Sequence, residues 1–254
     1  MSDPIVYLIL GSRNAGRRAV LTDLVEFGTE ESEKSVIALS PDEPDTSAFD
    51  VRKREVTTVE YSLDARALDF EVPDAADIVF VMADGAQSPA ESVYSFSLWL
   101  KKTGYELGRV LTILDCELMS KQKELEGWFD CCIHFSDIVL LSNRQNVSNK
   151  WIGELKDEYN KKRCFPCLFE YVKKGRLANP ALALSRETRR ISMVFEEAEP
   201  EEEYVGYVDD DEEEVIEEEL EPSIAGDPEK DAYLKFVVSA KKESPIPDIR
   251  PFLS

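Results

Sequence analysis

Six short apolar runs rich in β-branched residues recur along the first 172 residues: Ile5–Leu10, Ser35–Leu39, Asp77–Met82, Arg109–Leu114, Asp137–Leu141 and Phe165–Tyr171. Between most of them lie stretches with helical periodicity, at Ala15–Phe27, Pro89–Lys102, Leu118–Cys132 and Asn149–Arg163. A strand that is apolar along its whole length has both faces covered, and strands that alternate with helices pair in parallel. The pattern predicts an α/β domain with a doubly wound, mostly parallel sheet over residues 1–184. Arg54–Ser62 alternates less cleanly and is expected to be an extra, partly antiparallel strand. The acidic, Pro-containing Pro41–Asp50 is expected to be a loop.

Charge separates this domain from the rest of the chain. The 254 residues carry a formal net charge of -22, but 16 acidic residues and no basic ones fall between Glu196 and Glu221. Residues 185–221 therefore read as an acidic, self-repelling linker, disordered or at most a frayed helix. Residues 222–254 form a C-terminal segment with one strand-like stretch, Ala232–Ser239, and then an extended Pro-containing end. Such an acidic chain is poorly suited to nucleic acid, whose phosphates need Lys and Arg. The expected partner is a protein with a basic surface that the acidic run can meet; the alternative is that this run folds back on Arg17 and Arg18. No apolar run approaches a membrane span, and Met1–Pro4 lacks a basic start. Five cysteines do not suggest a secreted disulfide framework. The expectation is a cytoplasmic, reduced protein that does not enter a membrane.

In a parallel α/β sheet, ligands sit beyond the carboxyl ends of the strands. Those ends are Gly11–Arg18, Ala83–Pro89, Asp115–Glu117 and Ser142–Asn146. The first has the glycine spacing of a phosphate-binding loop, Gly11-Ser12-Arg13-Asn14-Ala15-Gly16, directly after the first apolar run. Such a loop continues with Lys and then Ser or Thr, whereas here the two residues are Arg17 and Arg18.

Taken in order, the loop, Ile78–Ser92, Arg109–Cys116 and Phe135–Val147 resemble the CobW/HypB/UreG family of P-loop GTPases, and CobW-type proteins most of all. In that family one strand ends in Glu-x-x-Gly before a Pro-containing segment, and the next ends in a Val-Asp-Ala-like turn. A later Ala-Asp-x-x-x-Leu strand runs into the guanine-reading Asn-Lys-x-Asp. The counterparts here are Met82–Gly85 with Pro89, Leu114–Cys116, and Ser136–Leu141 into Asn143-Arg144-Gln145-Asn146. The resemblance spans roughly residues 5–172. It implies a P-loop NTPase fold and a nucleotide or phosphate site at Gly11–Arg18, Asp84, Gly85, Asp115, Asn143, Arg144 and Asn146, with GTP or GDP as the candidate ligand.

The departures from the family pattern run in one direction. Arg17 keeps the charge of the loop lysine but not its compact shape. Arg18 replaces the hydroxyl that holds Mg²⁺ with a cation. Met82 stands at the acidic position, and Asn146 replaces the carboxylate that accepts two hydrogen bonds from guanine. No cysteine lies between Asp50 and Asp77, where CobW-type proteins carry Cys-x-Cys-Cys. No catalytic residue is assigned, and Mg²⁺ dependence is not expected. The leading expectation is a non-hydrolysing pseudo-GTPase that serves as a binding or scaffold module. The alternatives are a divergent GTP-binding protein or metallochaperone with weak NTPase activity, and a Mg²⁺-independent phosphate or nucleotide sensor.

Plainer readings stand beside these. Gly11 and Gly16 suit any strand-to-helix turn. Arg17 and Arg18 suit a solvated first turn, although cations there oppose the helix dipole. Asp115 suits a helix N-cap, and Asn143 and Asn146 suit turns. Cys131 and Cys132, with the nearby His134, and the pair Cys164 and Cys167 both precede strands. They are expected on one sheet edge opposite the nucleotide loops. Buried, inert thiols are the favoured reading there, with a structural zinc site as the alternative.

Overall fold

The computed structural model describes residues 3–45, 47–52, 54–196, 225–239 and 243–253. The chain opens with β1 (Ile5–Leu10), a 3₁₀ turn (Arg13–Ala15), α1 (Arg17–Gly28), β2 (Lys34–Leu39) and β3 (Glu55–Glu60). A small hairpin of β4 (Ser62–Asp64) and β5 (Ala67–Asp69) precedes β6 (Ile78–Met82) and α2 (Pro89–Thr103). The chain continues through β7 (Glu106–Asp115), α3 (Cys116–Lys121), α4 (Glu126–His134), β8 (Ile138–Ser142), α5 (Asn149–Asp157), β9 (Leu168–Tyr171), α6 (Pro180–Ala183) and α7 (Leu234–Val238).

Seven strands form one sheet in the order β3-β2-β6-β1-β7-β8-β9, with every pair parallel. This is a doubly wound, parallel α/β sheet with helices on both faces. Side chains alternate between its faces. Val6, Leu8 and Leu10 of β1 point into a core with Phe96 of α2, Phe129 of α4 and Leu234 of α7. Tyr7 and Ile9 point the other way, against Val20, Leu21 and Leu24 of α1 and Ala183 of α6. Two covered faces explain why the central strands read as unbroken apolar runs. The topology places the carboxyl ends of β6, β1 and β7 side by side, where a doubly wound sheet binds its ligand.

Several expectations need correction. Arg54–Ser62 contains β3, but β3 is parallel, running from Lys34↔Glu55 to Leu39↔Glu60. Its loose alternation reflects an edge position that leaves most of its side chains exposed or half-buried. The helix expected at Leu118–Cys132 is broken, because Gln122 leaves the helical region at φ -114° and ψ 82°. The strand-like Ala232–Ser239 contains a helix instead, α7. Asp231 Oδ1 accepts the Tyr233 and Leu234 amides at 2.9 and 3.1 Å and starts that helix, and Leu234 is buried in the core. Capping and burial outweigh the β-propensity of the aromatic and β-branched residues there.

Residues 185–196 run on against the body. Asp137 Oδ1 accepts the Arg189 and Arg190 amides at 2.6 and 3.0 Å, and the Arg190 guanidinium donates to the same carboxylate. Ser192 Oγ and His134 Nε2 meet Asp231 Oδ2 at 2.6 and 2.9 Å. Thus the segment after the acidic run is tied to α4. Residues 197–221 of that run lie outside the described residues, so its expected disorder does as well. Among the described residues, no helix is long and apolar enough to cross a membrane.

Candidate functional site

The loop after β1 is shaped by close contacts that only glycine allows. Gly11 has φ +127°, and a Cβ there would lie 2.2 Å from the Ile113 carbonyl oxygen of β7. A Cβ on Gly85 would lie 2.6 Å from both the Arg13 amide nitrogen and the Gly11 oxygen. The turns after β1 and β6 therefore interlock. Gly16 has φ +80° and turns the chain into α1. Like any helix start, α1 opens with amides that have no acceptor within the helix.

The loop's three arginines all turn to carboxylates of the same chain. Arg13 Nη2 lies 2.9 Å from Asp84 Oδ1, and that oxygen also accepts the Ala86 amide at 2.9 Å. Arg17 Nη2 lies 2.8 Å from Glu43 Oε2, and Arg17 Nη1 donates to the Ala83 carbonyl. Both members of the Arg17–Glu43 pair are buried, and burial is the largest influence on Arg17, lowering its pKa. Arg18 Nε lies 3.1 Å from Asp45 Oδ2, its Nη groups donate to the Asp45 and Ser47 carbonyls, and its guanidinium sits 4.1 Å over the Phe49 ring. Among the described residues, the carboxylate partners of Arg17 and Arg18 come from the loop Pro41–Asp50.

Two other strand ends meet as the topology requires. Asp115 Oδ1 accepts the Leu118 amide at 2.9 Å and caps α3, while Asp115 Oδ2 accepts Asn143 Nδ2 at 2.7 Å. Asn143 Nδ2 also donates to the Asn14 carbonyl at 3.0 Å, which links this corner to the loop. Asn146 Nδ2 donates to both Glu117 oxygens at 3.1 Å. Arg144 turns away, stacking at 4.4 Å over Tyr171. Met82 is fully buried and offers no metal ligand. Ser12 is buried as well, and its Oγ has no partner among the described residues; the same holds for Arg17 Nε.

Cys131 and Cys132 are fully buried in α4, and the Cys132 carbonyl accepts Thr112 Oγ1 at 3.3 Å and Ser136 Oγ at 2.7 Å. Cys164 is exposed and Cys167 is buried. No group of three or more His, Cys, Asp or Glu side chains capable of holding a metal ion occurs among the described residues.

Sequence reading missed Glu43 and Asp45. The available signal was the acidic content of Pro41–Asp50, but nothing in the sequence says which cation each carboxylate meets. It also missed the chain end, where the Leu253 carbonyl accepts Asn14 Nδ2 at 3.2 Å.

No protein-family model matches the sequence, and no curated protein does. Two solved structures are similar in fold. They are Zn(II)-bound YjiA GTPase from E. coli and a Zn(II)-bound triple mutant of YjiA GTPase, each 15% identical, with TM-scores of 0.44 and 0.45. Each match covers 74% of this chain and 67% of the other. A likeness at this level says nothing about what this chain binds.

Proposed function

We propose that this chain is a non-hydrolysing member of the P-loop GTPase type, a binding or scaffold module whose phosphate loop is closed by its own carboxylates. The observation that carries the reading is the pairing of Arg13, Arg17 and Arg18 with Asp84, Glu43 and Asp45. Phosphoryl transfer depends on charges positioned to neutralise the transferred group. Here those charges are already neutralised, and the position of the Mg²⁺-holding hydroxyl is a cation. Its partner, in this reading, is a protein whose basic surface meets the acidic run. The test is thermal scanning of the full chain with GTP, GDP, ATP and phosphate, with and without Mg²⁺. A ligand that binds the folded state raises its apparent stability by mass action. The reading expects no Mg²⁺-dependent shift, and a saturable shift with Mg²⁺ and GTP together contradicts it.

A second reading, a Mg²⁺-independent phosphate or nucleotide sensor, is favoured by one observation. Ser12 Oγ and Arg17 Nε are buried without partners in the loop itself, and buried polar atoms ordinarily find one. A shift with GDP or phosphate that ignores Mg²⁺ selects this reading over the first.

A further inference from the structure

A cavity of about 250 Å³ lies beside the loop, at the carboxyl ends of β1, β2 and β6. Its floor is the sheet face formed by Leu8, Val81 and Ala83, all buried. Leu68 and Leu63 of the β4–β5 hairpin and the Tyr61 ring close two sides. Ser92 and Ser95, one turn apart on α2, close a third. Ser40, Pro41 and Asp42 form the rim.

The chemistry of this lining is selective. No lysine or arginine lines the cavity, so a phosphate group there would have no counter-charge. The Tyr61 hydroxyl donates to the Met82 carbonyl at 3.2 Å, and the Ser40 hydroxyl accepts the Asp42 amide at 3.2 Å. Ser92 and Ser95 differ, since neither hydroxyl bonds to another described residue. The cavity thus joins apolar walls to two hydroxyls on one side. It exceeds the roughly 150 Å³ at which an apolar cavity stays dry and accepts benzene. Its position obeys the rule for ligands in open α/β sheets.

We infer that this cavity is a binding site for a small, uncharged, largely apolar organic molecule that carries a hydroxyl or carbonyl group facing Ser92 and Ser95. The site is separate from the phosphate loop and does not depend on how the loop arginines are read. The two are neighbours, because Ser40, Pro41 and Asp42 lead directly into Glu43, the partner of Arg17.

The experiment is a titration of the full chain with benzyl alcohol, monitored by amide NMR and calorimetry. Saturable binding is expected, with the largest amide shifts at Tyr61, Leu68, Ser92 and Ser95. Inorganic phosphate is expected to leave the titration unchanged. Ser95→Phe, which fills the cavity, is expected to weaken binding at least about tenfold. If that variant does not fold, Ser92→Leu is read in its place, and the clustering of the wild-type shifts stands as a test by itself. Binding that does not saturate, shifts centred elsewhere, or equal affinity in a folded filled variant overturns the assignment.

Discussion

Glu43 and Arg17 form a buried ion pair, Oε2 to Nη2 at 2.8 Å, with only 5% and 1% of their side chains exposed. The two residues come from the loops after β2 and β1, so the pair staples one strand end to another. It also occupies the guanidinium that stands where a phosphate loop has its lysine. Removing one member of such a pair leaves a buried charge uncompensated. Glu43→Ala is expected to cost about 3–5 kcal/mol in urea unfolding. Arg17→Met combined with Glu43→Ala is expected to cost less than Glu43→Ala alone, because no charge is then stranded. Equal losses in the single and double variants contradict the pairing.

Glycine substitutions separate close packing from free space. Gly11→Ala and Gly85→Ala place a Cβ 2.2 Å and 2.6 Å from backbone atoms. Each is expected to destabilise by more than roughly 3 kcal/mol. Gly153→Ala, within α5 and with nothing within 4 Å of its Cβ, is expected to stabilise by up to about 1 kcal/mol. Thermal unfolding of the three variants measures the contrast.

Acid is expected to loosen the C-terminal segment. Burial raises the Asp231 pKa, but the hydrogen bond and charge of His134, with Ser192 and the Tyr233 amide, outweigh it and bring the carboxyl from 3.8 down to about 2. A carboxyl depressed in the folded state contributes stability above its unfolded value, and this is lost as pH falls through the folded one. The contribution, about 2 kcal/mol, is therefore present above pH 4 and disappears between about pH 4 and 2. The stability of Asp231→Asn should change less over that window than wild type, and equal acid sensitivity of the two excludes this role.

Thiol labelling tests the placement of the cysteines. Cys116, Cys131, Cys132 and Cys167 are buried, and burial raises all four thiols, Cys116 and Cys167 to about 12. Thiolates do the reacting, so these four are expected to stay silent in the folded protein. Cys164 is exposed. A disulfide reagent at neutral pH is expected to modify one thiol quickly, and none in Cys164→Ser. Fast labelling of a second thiol contradicts the buried placement.

The sheet was largely legible in the sequence, because a strand covered on both faces leaves an unbroken apolar run, as in Ile5–Leu10 and Ile138–Leu141. Gly11 and Gly16 marked the loop for the same kind of reason, since its backbone demands positive φ. What the residues did not announce were pairings between distant loops. Arg17 with Glu43 and Arg13 with Asp84 depend on which strand ends the topology brings together. The β-branched residues of Leu234–Val238 misled, because the Asp231 cap and the burial of Leu234 decide that segment.

In the proposed reading, a loop whose arginines are held by the chain's own carboxylates performs no hydrolysis. Phosphate release from GTP by the full chain, with and without Mg²⁺, measures this without an intermediary. A rate indistinguishable from the protein-free blank is expected in both conditions. Steady Mg²⁺-dependent release that Arg17→Ala abolishes would contradict it.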